Sequence, residues 1–289
     1  LFPKILSEHR PHPHRIPAVI LSAIIISGTV ILSSAAAQNK PASGAPDSVF
    51  QLGEELTYNV SYASIDIGRV RIRLEDTVRR NGQLFYRAAA YIDSYKGIPF
   101  VNLHAVYENN IAPDGYSTWF RARDKDDERW VSTEYIFDYP GRSIRVEIGD
   151  WKSGKIDSRD TIKVDTLYQD GLSMFYFARK NLFCGRKVKI PAVVREKKGN
   201  AFIDFKGQRC KEEVEAIKYP LDLVHFEGQA GFVGIFGLTG DFEGWFTNDA
   251  ARVPVIANMK VILGNIRIEL ESWKRAGWIP PRYSGENGK

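Results

Sequence analysis

Residues 53–75 read GEELTYNVSYASIDIGRVRIRLE. Leu56, Tyr58, Val60 and Tyr62 alternate with polar neighbours, and Val70, Ile72 and Leu74 alternate with Arg69, Arg71, Arg73 and Glu75. A side-chain period of two belongs to a strand with one face on a core and the other in water, so both runs read as half-buried antiparallel strands. Asn81-Gly82 then signals a hairpin, and alternation resumes through Leu84, Tyr86, Ala88 and Ala90.

The same grammar extends outward along the chain. Turn signals at Pro113-Asp114-Gly115, Pro140-Gly141, Ser153-Gly154, Gly199-Asn200 and Gly264-Asn265 separate further short alternating runs. Val188, Ile190 and Ala192 form one, Leu221, Leu223 and His225 another, and residues 242–246 a third, before a final hairpin over 255–263 and 266–273. One segment departs from the rule. Residues 171–181 place Leu172, Phe175, Tyr176 and Arg179 at helical spacing, with Asp170 positioned to cap the start. The strands outnumber what a flat sheet holds, and no fixed repeat is visible. The expected fold is mainly β: an antiparallel, strongly curved sheet or half-barrel, with two sheets as the variant, and one short helix packed against it.

The N-terminal region has a different composition. Arg10 and Arg15 precede an uncharged stretch, 16–37, which ends in Ala35-Ala36-Ala37. That order is a secretory signal, with cleavage expected between Ala37 and Gln38. The stretch is also long enough for an uncleaved anchor, but its serines, glycine and threonine and the alanine triplet favour cleavage. No cysteine lies near the cleavage point, so no lipid anchor on an N-terminal cysteine is expected. The chain divides into a signal peptide at 1–37, a flexible linker at 38–48, one β-rich domain at 49–276 and a flexible tail at 277–289. Periplasmic or secreted localisation follows, with no membrane span in the mature chain. An oxidising compartment would permit a disulfide between Cys184 and Cys210.

The composition, 44% hydrophobic and 26% charged over 289 residues, supplies a sizeable core. Lys4, Arg10 and Arg15 against Glu8 lie in the leader, so part of the +5 net charge belongs to it. The remaining charge is interspersed, and no nucleic-acid partner is expected. Of five histidines, His9, His12 and His14 also precede the cleavage point, which leaves His104 and His225. That supply does not support a multi-histidine metal site, and the cysteine spacing does not support a zinc site. No nucleophile elbow, phosphate loop or metalloprotease sequence occurs, so no catalytic, cofactor or metal residues are assigned. The mixed charges Asp124-Lys125-Asp126-Asp127-Glu128 read as a solvated loop. Glycines at 231, 234, 237 and 240 punctuate an apolar segment containing Phe232 and Phe236, read as bends or as a loop near a ligand. The residues expected to face a ligand are Phe175, Tyr176, Phe232, Phe236 and Trp245.

Several features occur together: residues 53–58 with Gly68, the pair Asp93-Ser94, Asp170 with the helix reaching Arg179, and residues 242–249 running into Arg252-Val253-Pro254-Val255. In this the chain resembles a bacterial family designated domain of unknown function 3108, over nearly all of 50–275. The motif positions are Asp170, Arg179, Trp245, Asp249, Arg252 and Pro254. The resemblance implies an exported, β-dominated protein and supplies no catalytic residues. Read from the residues, Asn248-Asp249 turns the chain between two strands, Arg252 is placed to pair Asp249, and Pro254 sits at a strand start where its missing N–H is harmless. The leading expectation is a non-enzymatic envelope protein that binds a lipid or other amphiphile on the concave sheet face. The alternatives are an enzyme acting on envelope glycan or lipid through unrecognised carboxylates, and a scaffold partner of outer-membrane machinery.

Overall fold

The computed structural model describes residues 49–80, 82–98, 102–126, 128–194, 196–232, 238–261 and 264–285. The signal peptide, the 38–48 linker, the Ala37-Gln38 cleavage point, Asn81, Asp127 and Phe236 lie outside the described residues. The first meander runs β1 (Glu55–Tyr62), β2 (Ile65–Arg80), β3 (Gln83–Ser94), β4 (His104–Ile111), β5 (Ser117–Asp126), β6 (Arg129–Asp138), β7 (Ser143–Asp150) and β8 (Ile156–Lys163). Helix α1 (Ser173–Asn181) follows. A second meander then runs β9 (Lys187–Val194), β10 (Lys197–Val214), β11 (Ile217–Ala230), β12 (Leu238–Thr247), β13 (Pro254–Val261) and β14 (Gly264–Lys274).

All fourteen strands belong to one sheet, in the order β8 through β1, then β14 down to β9. The two meanders meet where β1 pairs antiparallel with β14, Val60 opposite Ile268 and Tyr58 opposite Leu270. This single long-range pairing turns two strings of local hairpins into one curved, unclosed sheet. Its edges, β8 and β9, do not pair with each other. They are instead tied by the segment between β8 and α1, whose Gln169 makes a parallel bridge to Ala192 of β9. Lys198 of β10 also donates to the Lys163 carbonyl at 3.0 Å, and Tyr135 of β6 reaches Glu196 at the β9–β10 turn at 3.3 Å.

The alternation expected from residues 53–75 holds. Leu56, Tyr58 and Val60 are buried, and Ile72 and Leu74 join them on the concave face. Further rows come from Ala88 and Ala90, Phe120 and Ala122, Tyr135 and Phe137, and Ile144 and Val146, all in one core cluster with Leu172 and Tyr176. A second cluster holds Phe177, Ala178 and Leu182 against Ile190, Ala201, Ile203, Phe205, Phe226 and Phe246. The helix is therefore apolar on two sides because the sheet wraps around it.

Several boundaries differ from the sequence expectation. Gly199-Asn200 lies inside β10 and makes no turn, because Gly199 provides the space into which the Phe232 side chain packs. Of the charged run, Asp124, Lys125 and Asp126 form the end of β5, with Asp124 accepting from the Tyr107 hydroxyl at 3.2 Å. Residues 277–285 are seated and do not form a flexible tail. Asp222 donates to Pro281 O and Tyr283 to Pro220 O, each at 2.9 Å, and Trp278 packs edge-on against Trp273. The apolar and aromatic side chains of this segment find partners on strands far away in the chain, which local composition does not reveal.

Between β11 and β12 the concave surface is shaped by a reciprocal aromatic-on-glycine arrangement. Phe226 lies opposite Gly244, and Phe242 opposite Gly228. A Cβ on Gly244 would come within 2.4 Å of the Phe226 ring, and one on Gly228 within 2.2 Å of the Phe242 ring. Gly244→Ala should destabilise the domain by about 1–3 kcal/mol through overpacking. Urea denaturation checks this, and adding Phe226→Leu to Gly244→Ala should recover part of the loss.

Candidate functional site

The family-motif positions converge on α1 and its surroundings. At the start of the helix, Asp170 is fully buried, and its Oδ1 accepts from the backbone N–H groups of Leu172 at 2.7 Å and Ser173 at 2.8 Å. Asn109 of β4 donates to the same carboxylate at 3.4 Å. Burial raises the Asp170 pKa above the ordinary carboxylate value, against the lowering effect of hydrogen bonds from Ser117, Ser173, Leu172 and Asn109. Asp170 thus satisfies orphan helix donors and ties the helix start to the sheet.

At the other end, Arg179 is the largest fully buried side chain. Its Nη1 and Nη2 donate to Glu54 Oε1 and Oε2 at 2.6 and 3.0 Å, and Nη2 also donates to the Ala251 carbonyl at 2.9 Å. Arg275 donates to Glu54 Oε2 from the end of β14. Burial works to lower the Arg179 pKa, but the Glu54 carboxylate outweighs it and the net shift is upward. Asp249 adds a further carboxylate close enough to act on Arg275. It accepts from Trp278 Nε1 and Thr247 Oγ1, both at 2.7 Å, and from the Arg252 backbone N–H at 2.9 Å. The Arg252 guanidinium itself reaches the Arg179 and Lys180 carbonyls at 3.3 Å and so covers the helix C-terminus. Pro254 opens β13, and its carbonyl accepts from the Tyr58 hydroxyl at 3.1 Å.

Of the residues expected to face a ligand, Phe175, Tyr176 and Trp245 belong to or pack against one core cluster, Phe232 packs against another, and Phe236 lies outside the described residues. Tyr176 is completely buried, stacked on Phe50 at 5.4 Å and edge-on to Phe175 at 5.2 Å, so both belong to the helix–sheet core. Phe232 is half-buried against Gly199. Trp245 on β12 is partly buried and packs against the core cluster that also holds Tyr176, its ring 4.6 Å from that of His225. Cys184 and Cys210 are both free thiols, the first exposed after the helix and the second half-buried on β10, so the permitted bridge is not formed. Glu54 lies inside the 53–58 motif but has no legible role there, and Arg275 lies outside every motif, since neither a glutamate nor an arginine carries a local signal of burial.

What α1 leaves uncovered is a third apolar cluster on the concave face, Val60, Ile67 and Ile266, in which no helix residue takes part. Tyr62, Ile98, Met259 and Val261 pack against it and remain partly exposed. Among the described residues no group of three or more metal-ligating side chains occurs, and no helix is long and apolar enough to cross a membrane.

The sequence pattern of the family described as protein of unknown function (DUF3108) matches residues 57–271. The chain belongs to this family. The DUF3108 match spans α1 and nearly all of both meanders, while Glu54 and Arg275 lie just outside its ends. No curated protein matches the chain. Two solved structures are similar to it, each with 10% sequence identity. One is a β-barrel-like protein of domain of unknown function DUF1849 from Brucella abortus, with a TM-score of 0.49, covering 77% of this chain and 97% of its own. The other is a candidate exported protein with a YmcC-like fold from Bacteroides fragilis, with a TM-score of 0.34, covering 78% of this chain and 97% of its own.

Two outcomes test this site. Glu54→Gln leaves two buried guanidinium groups facing a neutral amide and should cost about 3–5 kcal/mol. The double variant Glu54→Gln with Arg179→Met should lose less than the sum of the single losses, measured as a double-mutant cycle in chemical denaturation. Burial pushes the Cys210 thiol up to about 11. Iodoacetamide at pH 8 without reductant should therefore label exposed Cys184 first and Cys210 much more slowly, and an intact mass two hydrogens short with no labelling would show a bridge instead.

Proposed function

We propose that this DUF3108 domain is a non-enzymatic binding module of the bacterial cell envelope that holds the apolar part of a lipid or other amphiphile. The observation that carries this reading is the concave-face cluster around Val60, Ile67 and Ile266, whose neighbours Tyr62, Ile98, Met259 and Val261 stay partly exposed on a face that α1 fills elsewhere. A sheet curved this far shields an acyl chain from water on several sides, and each methylene removed from water contributes about 0.8 kcal/mol. The ligand position is thereby moved from the aromatic residues of α1, which are core, to the stretch of the face beyond the helix. The export reading rests on Arg10, Arg15 and the uncharged 16–37 stretch ending in Ala35-Ala36-Ala37.

Native mass spectrometry of the protein purified from the periplasm of an expressing bacterium tests this directly. A lipid-mass adduct is expected, and Met259→Asp should remove it while leaving the unfolding midpoint nearly unchanged. Protein that arrives empty and takes up no added fatty acid or phospholipid would refute the reading.

A further inference from the structure

On the opposite, convex face, strands β14, β1, β2 and β3 carry a polar groove of about 460 Å³, lined by Glu55, Thr57, Arg69, Arg71, Tyr91, Asp93, Tyr95, Glu271 and Ser272. Its floor is one cross-strand row. Ser272 lies opposite Thr57, Thr57 opposite Arg71, and Arg71 opposite Tyr91. Neighbouring strands are about 4.8 Å apart, so these four side chains stand side by side on the same surface.

The charges around the row are matched except at its centre. Arg69 holds Glu271 through two hydrogen bonds, at 2.8 and 2.6 Å, and Arg73 holds Glu55 at 3.0 Å. Asp93 is bonded to His104 Nδ1 at 2.9 Å. Arg71 has no ion pair among the described residues. Its guanidinium lies over the Tyr91 ring at 4.8 Å, a contact that orients the plane and leaves the N–H edge available. The hydroxyls of Thr57 and Ser272, next to it in the row, likewise make no hydrogen bond among the described residues. One oriented fork of donors beside two free hydroxyls is the donor set that a tetrahedral or planar oxyanion takes.

We propose that this groove is a binding site for a small ligand bearing a phosphate, sulfate or carboxylate group, with Arg71 as the charged contact and Thr57 and Ser272 as hydroxyl donors. The walls are themselves ion-paired and carry no excess positive charge, so the site selects by fit to the row and does not gather anions at long range. It is independent of the amphiphile reading, since it uses the other face of the sheet.

The test is a titration of the ¹⁵N-labelled protein followed by NMR. Its arms are inorganic phosphate, glucose 6-phosphate as a soluble source, and vesicles of phosphatidylglycerol against phosphatidylcholine as a lipid-headgroup source. Saturable shifts confined to the Ser272, Thr57, Arg71 and Tyr91 row are expected with a soluble phosphate, or vesicle binding that requires phosphatidylglycerol. In either arm Arg71→Gln should weaken binding about tenfold or more, as expected for loss of a charge-assisted contact, while Arg73→Gln, whose side chain is already committed to Glu55, should change it less than about threefold. Thermal unfolding of both variants establishes that they are folded. No saturable response in any arm, or equal losses in the two variants, would overturn the proposal, and the concave-face experiment would be unaffected.

Discussion

The buried pairing of Arg179 with Glu54 and Arg275 is the constraint on which the rest of the domain depends. It joins three points that are far apart in the chain: the residue just before β1, the last turn of α1 and the residue just after β14. Placing ions in the interior costs several kcal/mol each, and that cost is offset only when every partner is in position. The seat of the helix and the β1–β14 pairing therefore support each other. A hydrophobic helix could slide or rotate against an apolar face, whereas a guanidinium held at both terminal nitrogens, by Glu54 and the Ala251 carbonyl, favours one register. The ion cluster thus contributes specificity of docking, and the aromatic contacts around Phe50, Tyr86, Phe175 and Tyr176 contribute most of the attraction.

The two ends of α1 are handled by different chemistry. Asp170 brings a buried carboxylate to the positive end of the helix, where its neutralising partners are backbone N–H groups. Arg252 brings a cation to the negative end and covers two terminal carbonyls. Both partners come from motif segments that lie outside the helix, one immediately before it and one in the β12–β13 connection. The motif is therefore a description of how one short helix is locked inside a wrapped sheet. The lock leaves two surfaces unoccupied, the uncovered concave stretch and the convex groove, and the two binding proposals concern these.

The strands and their inward faces were legible in the sequence because alternation in residues 53–75 and its later repeats is a local property set by a two-residue side-chain period. The helix was legible for the same reason, its spacing and capping carboxylate both being local. The motif residues were visible as a pattern, and the structure gives each of them a structural partner. Less legible were Gly199, which suggested a turn but makes room for Phe232, and Trp245, whose aromatic character suggested a ligand although it packs against the core and beside His225.

By itself the sequence determined the class of elements, the alternating faces of the strands and the position of α1, since all of these follow from short-range periodicity. Only the tertiary structure decided that β1 pairs with β14, that Glu54 and Arg275 are buried on Arg179, that residues 277–285 are seated, and that Arg71 stands at the centre of its groove with no ion pair among the described residues. Each of these depends on residues brought together from distant points of the chain, and a free energy shared between distant groups leaves no periodic trace in either segment.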